Sequence, residues 1–141
     1  MKSLLMPIFA AAFALTACSD RITTSTEMVF DQEPPPVEEV VAFSFVQENV
    51  LDISCALSGC HAGAEFPDLS AGRSYASIVG ELSSQGLKLV EPGDPDNSYL
   101  FIKITGGAGM SGQLMPYGGA RLPDASIDAV RKWIADGALN D

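Results

Sequence analysis

The chain has 141 residues, room for one domain of ordinary size and too few for a multidomain enzyme. Eighteen acidic side chains against eight basic ones give a formal charge of −10, so a nucleic-acid backbone is repelled and no nucleic-acid partner is expected. Apolar residues reach 47% and charged residues 18%, enough to build a core, although one N-terminal stretch inflates the apolar share. That stretch, residues 1–17, opens with Met1-Lys2-Ser3, runs through Leu4-Leu5-Met6-Pro7-Ile8-Phe9 into alanine, and carries no charge after Lys2. A basic start, a short apolar run and small residues at its end read as a secretory signal peptide, and the run is too short for a permanent membrane span.

Leu15-Thr16-Ala17-Cys18 closes the stretch and resembles the lipobox of bacterial lipoproteins, in which the cysteine becomes the lipidated first residue after cleavage. The resemblance implies a mature chain that begins at an acylated Cys18 and is held to a lipid membrane. Ser19, where Asp would signal inner-membrane retention, implies delivery to the periplasmic face of the outer membrane in a two-membrane cell. The alternative is a soluble periplasmic protein in which Cys18 merely lies near the cleavage point. Residues 18–40 are rich in Ser, Thr, acid and the run Pro34-Pro35-Pro36, a composition that cannot bury enough apolar surface to order itself. They read as a disordered, extended spacer.

Residues 41–141 form one domain without an internal repeat. Phe43, Val46, Val50 and Ile53 fall on one helical face, so a first helix is expected to end near Cys55. A weaker helix is expected over Ser74 to Leu82. Asp94-Pro95 announces a third, with Asp as cap, Pro in the first turn and Tyr99, Leu100 and Ile102 on its apolar side. The last has Ile127, Val130, Trp133 and Ile134 on one side, Asp124 and Asp128 toward its start and Gly137 as its stop. Alternation of apolar and polar residues is scarce, with a short extended piece open at Leu87 to Val90. The expected class is therefore all-α, about four short helices joined by long Gly/Pro-rich loops at residues 62–72 and 105–121. Loops of that length in so small a domain imply a function or a ligand to wrap, and a large apolar cofactor would enlarge a limited core.

Chemistry concentrates at Cys55-Ala56-Leu57-Ser58-Gly59-Cys60-His61, which holds both cysteines other than Cys18 and the sole histidine. Two thiols followed at once by an imidazole are the set that covalent haem attachment uses: thioethers fix the porphyrin and the adjacent histidine reaches the iron. Four residues separate the cysteines here, where the usual attachment sequence has two. Downstream, Met115-Pro116-Tyr117-Gly118-Gly119 offers a thioether that could complete a His/Met pair and leave no open position on the iron.

At this point the chain resembles the small c-type cytochromes. The resemblance rests on Cys60-His61-Ala62-Gly63, on Pro92-Gly93-Asp94-Pro95-Asp96-Asn97-Ser98-Tyr99-Leu100, on the Met115 loop, and on Trp133-Ile134-Ala135-Asp136-Gly137-Ala138, in that order. It implies a cytochrome-c-like fold in which the first helix leads into the cysteine and histidine motif and an aromatic residue of the last helix packs near the first. It also implies one covalent haem c attached at Cys55 and Cys60, with His61 as proximal and Met115 as distal ligand. The implied function is single-electron carriage between redox protein partners, with no catalysis. An acidic surface would steer basic partners toward it.

Other readings of the same residues stay open. Cys55 and Cys60 could form a disulfide in an oxidising compartment, leaving a haem-free, disulfide-stapled binding or scaffold lipoprotein with His61 as an ordinary surface residue. Met115 could be a core filler, with Met110 as a competing ligand, or could fail to ligate and leave open iron for a small molecule. Two cysteines and one histidine lack a fourth ligand for zinc. The glycine runs at Gly106-Gly107-Ala108-Gly109 and Gly118-Gly119 are turn formers without the strand and helix of a phosphate-binding loop.

Overall fold

A computed structural model describes residues 39–141. The signal-peptide and lipidation readings at residues 1–17 and Cys18, and the spacer as far as residue 38, lie outside the described residues. Among the described residues the architecture is helical, with two isolated β-bridges and no sheet, so the domain is all-α. No helix among them is long and apolar enough to cross a membrane.

The first helical stretch comprises α1 (Phe43–Val46), a π turn (Gln47–Leu51) and α2 (Asp52–Ser54) in unbroken succession. Ala42 before it offers no side-chain acceptor, and residue 141 supplies one. Phe43 N–H donates to Asp141 Oδ1 at 2.8 Å and Ser44 N–H to the Asp141 main-chain oxygen at 3.3 Å. Phe43, Val46 and Val50 are buried as their spacing predicts, but Ile53 is 63% exposed and Leu51, at 1%, takes its place. The π turn is the cause. Its bonds span five residues, Asp52 N–H to Gln47 O and Ala56 N–H to Leu51 O, so each residue advances less around the axis and the apolar face drifts.

α3 (Ser74–Ile78) stops short of the expected Leu82. Val79 is extended and Gly80 takes a φ of 78°, so the chain leaves the helix and pairs with the extended piece at residues 87–90. Gly80 N–H donates to Val90 O at 3.1 Å and Val90 N–H to Ile78 O at 3.0 Å, and the bridges Val79–Val90 and Leu82–Lys88 follow. Asp94 does act as a cap, but of a 3-10 turn (Pro95–Asn97), accepting from Asn97 N–H at 3.2 Å. α4 (Tyr99–Thr105) begins behind Ser98, whose buried hydroxyl donates to Asp94 O at 2.8 Å and accepts from Glu91 N–H at 2.9 Å.

α5 (Asp124–Ala135) buries Ile127, Val130, Trp133 and Ile134. It ends where Gly137 N–H returns to Ile134 O at 3.0 Å and Ala138 N–H to Trp133 O at 2.9 Å, a Schellman closure that needs the left-handed backbone of Gly137. The ring of Trp133 lies 5.0 Å from that of Phe43, and Tyr75 meets Phe43 edge-on at 5.2 Å, so two aromatic rings join the first and last helices and a third ties in α3. Trp133 Nε1 donates to Leu139 O and Tyr75 Oη to Ala138 O, both at 2.9 Å, which folds the residues after α5 back over this junction.

Truncation at this junction is expected to be costly. Trp133→Ala should lose about 3–5 kcal/mol of unfolding free energy, whereas Ile53→Ser should change it by less than about 0.5 kcal/mol. Urea unfolding followed by circular dichroism compares the two.

Candidate functional site

Cys55, Cys60 and His61 are brought together by the turn that ends the first helical stretch. Leu51 O accepts both Cys55 N–H at 2.9 Å and Ala56 N–H at 2.7 Å, after which the chain reverses: Cys60 N–H returns to Leu57 O at 2.9 Å and His61 N–H to Cys55 O at 3.2 Å. The four residues between the cysteines are thus taken up in the reversal, and Cys55 and His61 stand at the two ends of one backbone hydrogen bond. Both thiols are free; Cys55 is half-buried against the core and Cys60 is exposed. Burial pushes the Cys55 thiol up to about 11, and the neighbouring Cys60 thiol adds to the rise. Cys55 is therefore a protonated, weakly nucleophilic thiol at neutral pH.

His61 Nδ1 lies 3.0 Å from the Pro67 carbonyl oxygen. A carbonyl only accepts, so Nδ1 must carry the proton, and in the neutral ring Nε2 keeps its lone pair. A ring nitrogen tied to a main-chain carbonyl is the arrangement that orients histidine ligands of metals. The same loop grips the histidine main chain, because Leu69 N–H donates to His61 O at 2.7 Å. Between these two contacts sits Asp68, whose Oδ1 accepts from the Ser70 hydroxyl at 2.5 Å and from Ser70 N–H at 3.0 Å, while Oδ2 faces Arg73 at 3.3 Å. The Ser70 hydroxyl, then the Ser70 N–H and more weakly Arg73, hold the Asp68 carboxyl below its ordinary range, so the carboxylate keeps these contacts until the pH falls below that range.

Met115 stands on a separate loop. Its N–H donates to Lys103 O at 2.8 Å, and the Lys103 ammonium donates to Ser111 O at 3.0 Å and also to Gln113 O, so one α4 residue fixes the loop from both its main chain and its side chain. Tyr99 Oη adds a contact to Ser111 at 3.3 Å. Met115 and Met110 are both half-buried against the core that also receives Cys55 and Ala56. Among the described residues no hydrogen bond joins the Met115 loop to the Cys55–His61 turn. Spacing along the sequence carried no sign of Lys103 or of the Pro67 carbonyl: the first reads as a solvated helix residue and the second is a backbone atom.

Both loops carry water-facing apolar side chains. Ile53, Leu57 and Phe66 flank the cysteine and histidine turn, and Leu114 and Tyr117 flank Met115; these are five of nine large apolar residues exposed among the described ones. Such exposure beside two loops that hold the thiols, the imidazole and the thioether marks surface suited to an apolar partner. Two open clefts lie elsewhere. One of about 340 Å³ is lined by Phe101 and by Arg131, which is paired with Asp96 at 3.2 Å; another of about 410 Å³ lies beside Glu48, Tyr75 and Asp141. None of Cys55, Cys60, His61 and Met115 lines either cleft. Among the described residues, no three side chains of His, Cys, Asp and Glu converge as a metal site built from those types alone. No family model, curated protein or solved structure matches the chain.

The two thiols are expected to differ in reactivity. In the reduced protein iodoacetamide should modify Cys60 first, and the rate at Cys55 should climb about tenfold per pH unit from neutrality to about pH 10, as the fraction of thiolate grows. Peptide mass spectrometry over a pH series measures both rates, and equal rates at neutral pH would contradict the burial of Cys55.

Proposed function

We propose that this chain is a membrane-anchored c-type cytochrome that carries single electrons on one covalently attached haem. The observation that carries the reading is the state of His61: it directly follows a free thiol, its Nδ1 proton is committed to Pro67 O, and its Nε2 lone pair is left for a metal. The donor set fits haem c, with two free thiols on one turn, an oriented imidazole, and a half-buried thioether held in place by Lys103. The exposed Leu57, Phe66, Leu114 and Tyr117 are the apolar surface that a porphyrin would take out of water. Packing of Phe43 against Trp133 agrees with the junction of first and last helices that a cytochrome-c-like fold requires.

In this reading Cys55 and Cys60 would hold the group through thioethers, and His61 Nε2 and Met115 Sδ would be its protein ligands. When bound, haem supplies a one-electron iron couple, which a methionine ligand biases toward high potential. The protein's part is to orient and to exclude. Pro67 O sets the plane of the imidazole, Lys103 fixes the reach of Met115, and the exposed apolar side chains of both loops would cover the bound group. Acylation at Cys18 confines the domain to a membrane surface, and eighteen acidic residues favour redox partners with basic docking faces.

A reduced-minus-oxidised absorption spectrum and an intact mass, taken on protein produced with a cytochrome c maturation system, test this. Haem bands that survive acid extraction, with a mass gain of one haem, are expected, and Cys55→Ser or Cys60→Ser should impair retention. A colourless protein two hydrogen atoms light would overturn the reading in favour of a Cys55–Cys60 disulfide and a haem-free scaffold. In the haem-bearing protein Met115→Ala should lower the reduction potential and let carbon monoxide bind the ferrous form. An unchanged potential would remove Met115 from the ligand set.

A further inference from the structure

Gln47 is the first residue of the π turn, and its carboxamide is buried. Its Nε2 donates to Leu69 O at 3.0 Å and to Asp52 Oδ1 at 2.6 Å, while its Oε1 accepts from the Ser74 hydroxyl at the start of α3. Every hydrogen-bonding group of this side chain is thereby used across three segments of the chain. One of these links leads to the histidine. Leu69 N–H donates to His61 O at 2.7 Å, and two residues earlier Pro67 O accepts from His61 Nδ1 at 3.0 Å. Residues 67–69 therefore grip His61 by both its main chain and its ring, and the Gln47 amide ties the Leu69 end of that grip to the first helical stretch.

We propose that Gln47 is the positioning residue for His61. Through Leu69 it keeps residues 67–69 pressed against the first helical stretch, and so keeps the Pro67 carbonyl where it can accept the imidazole proton. The strength of that acceptor sets how much negative charge the ring carries, and a ligand with more negative charge favours the oxidised iron. Loosening the Leu69 tie weakens the acceptor and raises the reduction potential. The part concerning potential rests on the haem reading; the tie itself does not.

The test compares Gln47→Leu and Gln47→Glu with Ser74→Ala. Leucine removes all the hydrogen bonds of the amide, and glutamate keeps an acceptor for Ser74 while losing the donors to Leu69 and Asp52. Ser74→Ala removes another partner of Gln47 and leaves Leu69 untouched, so it controls for simple destabilisation. Two quantities are read on the protein as purified: hydrogen exchange of the Leu69 amide and the reduction potential of the haem-bearing form. Both Gln47 variants should speed Leu69 exchange by about tenfold or more relative to Ser74→Ala, and the neutral Gln47→Leu should shift the potential upward while Ser74→Ala leaves it in place. Leu69 exchange that is the same in all three variants, or a potential that moves as far in Ser74→Ala as in Gln47→Leu, would overturn the assignment. If the protein carries no haem, the haem reading fails by its spectrum, and Leu69 exchange alone decides the tie.

Discussion

Phe43 packed against Trp133 is the contact on which the rest of this domain depends. None of its helices is long enough to be stable alone; the longest, α5, has twelve residues, and the others are shorter. Their stability comes from burying apolar faces against one another, and the aromatic junction is where the two ends of the domain meet. The polar contacts there point the same way. Asp141 caps the start of α1, and the segment after α5 supplies carbonyls to both Trp133 and Tyr75. With the ends joined, the chain between them has a fixed frame from which two long loops project.

Those loops carry Cys55, Cys60, His61 and Met115, and their order is local. The first is closed on itself by His61 N–H to Cys55 O, Leu69 N–H to His61 O and His61 Nδ1–H to Pro67 O, so the imidazole is oriented by its own loop. The second is strung from Lys103, which holds Met115 by its carbonyl and the preceding residues by its ammonium. Each loop leaves apolar side chains facing water beside its sulfur atoms, and the core that both rest on is continuous. An electron carrier needs this combination of fixed ligands, apolar surroundings and no demand for motion at the site. The proposed role follows from the chemistry of the ligands and the fixity of their frame.

Where a single period runs the length of a helix, its spacing in the sequence is accurate. α5 has the apolar residues, the acidic start and the glycine stop that its pattern requires, because a plain amphipathic helix obeys a single period. The first helix departs from its pattern at Ile53 because a π turn changes the period midway, and no residue in Gln47–Leu51 announces that change. The helix expected to reach Leu82 stops at Ile78 because Val79 and Gly80 find backbone partners at residues 87–90, a tertiary pairing that local propensity does not contain. Cys55, Cys60, His61 and Met115 stand out in the sequence because thiols, imidazole and thioether are chemically distinctive. Their supports do not: Pro67 contributes a carbonyl, Leu69 an amide and a carbonyl, and Gln47 and Lys103 occupy ordinary helical positions.

In the proposed cytochrome His61 offers Nε2 to iron while Nδ1 donates to Pro67 O. The chain has one histidine, so nitrogen NMR of reduced, histidine-labelled protein observes this ring alone. The expected result is a protonated Nδ1 protected from solvent by its hydrogen bond and an Nε2 resonance displaced by iron ligation. A ring protonated at Nε2, with Nδ1 free and neither nitrogen displaced, would contradict it.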